Sequence, residues 1–131
     1  MKLLLDTHIF IWYVEGNTAI SQNARQLIQS PQNEKYISII WFYEMAIKVK
    51  IGKLALAVSI ETYLQSLHER DVKLLPIKEN HIITYEAVPL IETHRDPFDR
   101  LIIATALFEN VTILTADKQF DNYAFQVKVI H

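Results

Sequence analysis

The chain has 131 residues, a net charge of −2, half of its residues hydrophobic and no cysteine. That is one ordinary globular domain with core enough to fold without staples. Disulfides, thiolate zinc sites and a cysteine nucleophile are excluded, and a pI of about 6.2 gives no general basic coat for nucleic acid.

The start, "MKLLLDTHIFIWYVEG", has the Lys and apolar run of a signal peptide, but Asp6 and His8 interrupt it and no small-residue cleavage site follows. No stretch reaches the length of a membrane span. The expectation is a cytoplasmic protein with residues 1–131 as a single domain.

"KLLL" (2–5) reads as a short buried strand, followed by a helix over 7–14. Ile20, Ala24, Leu27 and Ile28 share one helical face. "KYISI" (35–39) is a second strand, and a helix over 41–51 ends at Gly52. Ser59 caps a helix that places Ile60, Tyr63, Leu64 and Leu67 on one side. "VKLLPI" (72–77) is a third strand and 79–88 a helix. Another helix runs from Pro97 to about Phe108, with Asn110 as its stop. "VTILT" (111–115) and "VKVI" (127–130) complete five strands. Strands alternating with helices give an α/β domain with a mainly parallel sheet.

In such sheets functional groups gather beyond the carboxyl ends of the strands. Asp6 follows "KLLL" and Asp117 follows "VTILTA". Each reads equally as a turn residue or helix cap, because Asp suits both roles. Glu44 is less easily explained. It lies inside the apolar segment "IIWFYEMAIKVKIG", where a carboxylate needs a partner. Lys48, four residues on, is one candidate partner and a bound cation is the other.

In "THRDPFDRLIIATAL", Asp96 is placed as the N-cap, Pro97 as the first helical residue and Asp99 in the first turn. If Asp96 caps, Asp99 is free to project into a cleft. Four acids from two strand ends and two helices can then converge. Their mutual repulsion is relieved by a hard divalent cation, Mg²⁺ or Mn²⁺, which prefers oxygen ligands.

The order of these pieces resembles the PIN-domain ribonucleases, and within them the toxin-like proteins of the VapC type. "LLLDTHIFIW" is similar to the family's opening strand with its first acid, Asp6. "YISIIWFYEMAIKVKIGKL" is similar to the second strand and the helix carrying Glu44. "HRDPFDRLIIATAL" puts Asp99 in the third acid's place, and "ILTADKQF" puts Asp117 in the fourth. "HRDPFDR" and "LTAD" are specific in combination, and the resemblance covers essentially the whole chain. Trp41 departs from the pattern, standing where the family often has a small hydroxyl residue.

The resemblance implies a three-layer α/β/α PIN-like fold and a Mg²⁺- or Mn²⁺-dependent endoribonuclease. Asp6, Glu44, Asp99 and Asp117 would hold the metal, and a metal-activated water would attack the RNA phosphodiester. It also implies a homodimer and a small VapB-like antitoxin as partner. Asp96, Thr7 and Thr115 become candidates to support or join the metal site. Arg95, Arg100, Lys48 and Lys118 become candidates for the RNA backbone, with Arg100 the one expected to order Asp96 or Asp99. His8 and His94 are read as ordinary polar histidines at the cleft rim. Two other readings differ in class. An aspartyl-nucleophile phosphatase usually wants a second Asp two residues after the first, where this chain has His8. A PIN-like scaffold that binds RNA or a protein without cutting would have little reason to keep all four acids.

Overall fold

Five short strands, β1 (Lys2–Leu5), β2 (Glu34–Ser38), β3 (Val72–Leu75), β4 (Thr112–Leu114) and β5 (Val129–Ile130), form one sheet in the order β3-β2-β1-β4-β5 in a computed structural model covering residues 1–131. Every pairing is parallel. Central β1 shows why. Leu3, Leu4 and Leu5 are all fully buried, and a strand apolar on both faces requires a layer on each side. Leu3 and Leu5 pack into one core with α1 (Thr7–Glu15), α2 (Gln22–Gln29) and α4 (Ile60–Glu69). Leu4 packs into the other, with α6 (Pro97–Glu109) and a 3-10 helix, Lys118–Tyr123. The layers are therefore α/β/α. α3 (Ile39–Lys50) serves both cores, Phe42 and Met45 facing one and Trp41 the other. α5 (Glu79–Tyr85) is tied to the end of α6 by the buried His81 ring, 2.8 Å from Glu109 Oε1. No helix is long and apolar enough to cross a membrane.

The local signals act as their chemistry dictates. Ser21 and Ser59 cap α2 and α4 through side-chain oxygens. Asp96 caps α6 ahead of Pro97, and Asn110 ends it in the left-handed conformation at φ 55°. Gly52 turns the chain after α3 at φ 77°.

Some boundaries differ from the sequence reading. α3 begins at Ile39, two residues early, because Ser38 ends β2 and its hydroxyl accepts the Ile40 N–H. Trp41 therefore leaves no cap missing: it sits inside the helix and is buried, and Ser38 does the capping. Pro76, which lacks an N–H, lies beyond the end of β3. The 3-10 helix was not expected. Asp117 starts it by accepting the Gln119 N–H.

β1 leads leftward through α1 and α2 to β2, while β4 leads rightward to β5. The sheet's switch point thus lies between β1 and β4, where diverging connections open a crevice.

Candidate functional site

At that switch point is a cleft of about 420 Å³ lined by Asp6, Glu44, Asp96, Asp99 and Asp117. Each arrives for a local reason. Asp6 ends the β1 connection and caps α1: its Oδ1 accepts the His8 N–H at 3.0 Å. Its Oδ2 accepts the Thr115 hydroxyl at 2.8 Å, joining the ends of β1 and β4. Thr115 Oγ1 in turn accepts the Asp117 N–H at 3.0 Å. Asp96 accepts the Phe98 and Asp99 N–H groups on Oδ1 alone, at 2.8 and 3.4 Å, which leaves its Oδ2 clear of the cap.

Capping chemistry thus accounts for the location of Asp6, Asp96 and Asp117. It does not account for Glu44 or Asp99. One oxygen from each of Glu44, Asp96 and Asp99 lies within 4.8 Å of the others. The tightest group is therefore a triad that includes the capping residue Asp96. Asp6 and Asp117 share the cleft but stand outside this triad.

The electrostatics follow from the crowding. Burial, then the charges of Asp99, Asp96 and Asp6, push the Glu44 carboxyl up to about 7 against the pull of Lys48. Lys48 lines the cleft but makes no ion pair with Glu44. Burial likewise pushes Asp99 up to about 6, opposed by its hydrogen bond from His94 and aided by the Asp96 charge. The His8 imidazole is raised by its contact with Asp6, 3.7 Å away, against the effect of burial. Glu44 and Asp99 therefore hold protons to higher pH than ordinary carboxyls do.

The expected basic residues separate. Lys48 and Arg95 line the cleft. Arg100 does not order Asp96 or Asp99; it donates to Tyr85 Oη and the Arg95 carbonyl, beside a separate hollow. Lys118 is exposed at the start of the 3-10 helix, outside the cleft wall. Thr7 is buried at the start of α1, in a narrow crevice that also touches Glu44.

His94 departs furthest from the sequence reading. It is no rim residue: it is 1% exposed, with Nε2 2.8 Å from Asp99 Oδ2 and Nδ1 3.1 Å from the Gln119 carbonyl. Phe120 and Tyr123 close on the ring edge-on, each at 5.3 Å. Nothing in "THRD" announces this, because both partners come from folding and Gln119 lies 25 residues away.

The donor set fits a hard divalent cation. The triad offers only carboxylate oxygens, without thiolate or imidazole, and Glu44 is half-buried without an ion-pair partner.

An α/β/α sandwich of parallel strands with an oxygen-rich cleft at its switch point defines the class of protein. The PIN domain model matches residues 3–126. The chain is 30% identical over 121 residues to Ribonuclease VapC22 of Mycobacterium tuberculosis, covering 92% of this chain and 91% of that one. Among solved structures it is similar to VapBC2 from Rickettsia felis bound to a promoter DNA fragment (TM-score 0.71, 18% identity, 99% and 98% of the two chains). It is also similar to VapBC-1 from nontypeable Haemophilus influenzae (TM-score 0.67, 23% identity, 99% and 97%). The chain belongs to the PIN-domain family, in its VapC-type branch.

Proposed function

We propose that this protein is a Mg²⁺- or Mn²⁺-dependent endoribonuclease acting as the toxin of a VapBC-type pair, with residues 1–131 as one catalytic unit. One observation carries the reading: five carboxylates converge on the cleft at the β1/β4 switch point of a chain related to a ribonuclease.

Glu44, Asp96 and Asp99 would hold the cation, with Asp6 and Asp117 completing the acidic wall. A bound Mg²⁺ or Mn²⁺ supplies Lewis acidity toward a phosphoryl oxygen and makes a coordinated water more acidic. The chain's residues do the rest. The Thr115 hydroxyl donates to Asp6 and accepts the Asp117 backbone N–H, so one side chain ties the two strand-end acids together. Lys48 and Arg95 offer positive charge at the cleft for the RNA backbone. Arg100 and Lys118, away from the cleft, would contact only RNA that extends past it.

A small antitoxin partner is proposed on the likeness to solved VapBC structures. A homodimer and a cytoplasmic location are proposed with it.

The test is Mn²⁺ titration calorimetry on wild type and Glu44→Gln, paired with cleavage of a mixed RNA pool with and without chelator. Saturable binding lost in the variant, with chelator-sensitive cleavage, is the expected result. Folded wild type that neither binds Mn²⁺ nor cleaves points to a non-catalytic scaffold and overturns the reading.

A further inference from the structure

We propose that His94 is a positioning residue: one buried imidazole clamps Asp99 and the Asp117 segment together, fixing two walls of the acidic cleft for cation binding. The inference rests on the metal-site reading above and assigns a role to a side chain outside the acidic set.

The Gln119 carbonyl can only accept a hydrogen bond, so His94 Nδ1 carries a proton and donates it across 3.1 Å. Nε2 is then committed to Asp99 Oδ2, and a single proton joins the two atoms across 2.8 Å whichever of them holds it. The residue whose carbonyl receives His94 also serves the other wall, since the Gln119 N–H donates to Asp117 Oδ1 at 2.9 Å. His94 thus connects the first turn of α6 to the segment following β4, through Asp99 at one end and the Asp117 cap at the other.

Both the ring and the backbone beneath it are held. Phe120 and Tyr123 pack on the ring edge-on, and the His94 backbone N–H donates to the Ile91 carbonyl at 2.9 Å in the turn before α6. Without this clamp, Asp99 retains two free side-chain torsions at the head of a helix. A carboxylate oriented by a hydrogen-bonding partner meets a cation with that freedom already removed.

A purely packing role for the ring is separated from a positioning role by shape. His94→Phe fills the aromatic pocket and removes both ring nitrogens. His94→Gln keeps a donor in reach of Asp99 and loses the aromatic packing. Calorimetry with Mn²⁺ alone is run on wild type, His94→Phe and His94→Gln, with thermal midpoints of the metal-free proteins alongside. The expected result is a midpoint within a few degrees for His94→Phe, a Mn²⁺ affinity weaker by about 10–100-fold, and partial recovery in His94→Gln. Unchanged affinity in folded His94→Phe overturns the inference and leaves the metal reading intact. If wild type binds no Mn²⁺, the metal reading fails and the inference falls with it. If His94→Phe does not fold, ring ¹⁵N signals of wild type decide during stepwise addition of Mg²⁺. His94 signals that move with cation occupancy, while those of the exposed His68 stay still, uphold the clamp; stationary His94 signals overturn it.

Discussion

Glu44 poses the sharpest problem at the scale of single residues. In the metal-free protein its folded value of about 7 lies above the ordinary 4.5, and Asp99 stands at about 6 against 3.8. Both carboxyls bind a proton more tightly folded than unfolded. Their contribution to stability is complete below the ordinary values and is lost as pH rises through about 6 to 7. Glu44→Gln should match wild type near pH 4 and exceed it at pH 8 by about 1 kcal/mol, well short of the full shift because solvent screens this half-buried group. Chelated samples in urea titrations at the two pH values measure this. The same protons compete with the cation. Mn²⁺ affinity should therefore climb between pH 5 and 7.5 and then level off, as calorimetry in several buffers would show. Asp99→Asn should abolish RNA cleavage with the fold retained, and a fragment assay on the folded variant checks it.

At the scale of elements, α6 carries two duties on one turn. Asp96 satisfies the helix start with Oδ1 alone, while its carboxylate also stands within 4.8 Å of those of Glu44 and Asp99. Asp96→Ala should lower stability by about 1 kcal/mol through loss of the cap, whereas Asp96→Asn should preserve it. If Asp96 joins the cation, Asp96→Asn should still weaken Mn²⁺ binding, so melting and calorimetry on the pair separate the duties. This double role also marks where sequence reading stops. "DPFDR" states a cap plainly, because capping depends on neighbours two and three residues away. The Glu44–Asp96–Asp99 triad depends on how α3 meets α6 across the cleft, which no local spacing encodes. The five strands, the capped helices and Asn110 were legible for the same local reason. The buried state of His94 was not, since it depends on contacts between the Gln119 segment and a residue before α6, and the 3-10 helix went unread although its Asp117 cap is local.

At the scale of the whole molecule, the cleft couples ligand to fold. Its walls come from β1, α3, α6 and the end of β4, so any cation that binds the assembled site opposes global unfolding. Mn²⁺ at 100 times its dissociation constant should stabilise by about 2.7 kcal/mol, and chelator should reverse the gain in a thermal melt. The bond between Thr115 and Asp6 spans 109 residues of chain, and that span has a consequence for synthesis. β1 precedes β4 in the chain and waits for it to cover its free edge, since β1 lies between β2 and β4 in the sheet. Until β4 is made, a nascent chain on the ribosome has Asp6 without its hydroxyl partner and no Asp117 at all. Its maker's own RNA is close at hand during that interval. Chains stalled before Thr112 should be inert toward it, because the cleft has no β4-side wall until that strand is made.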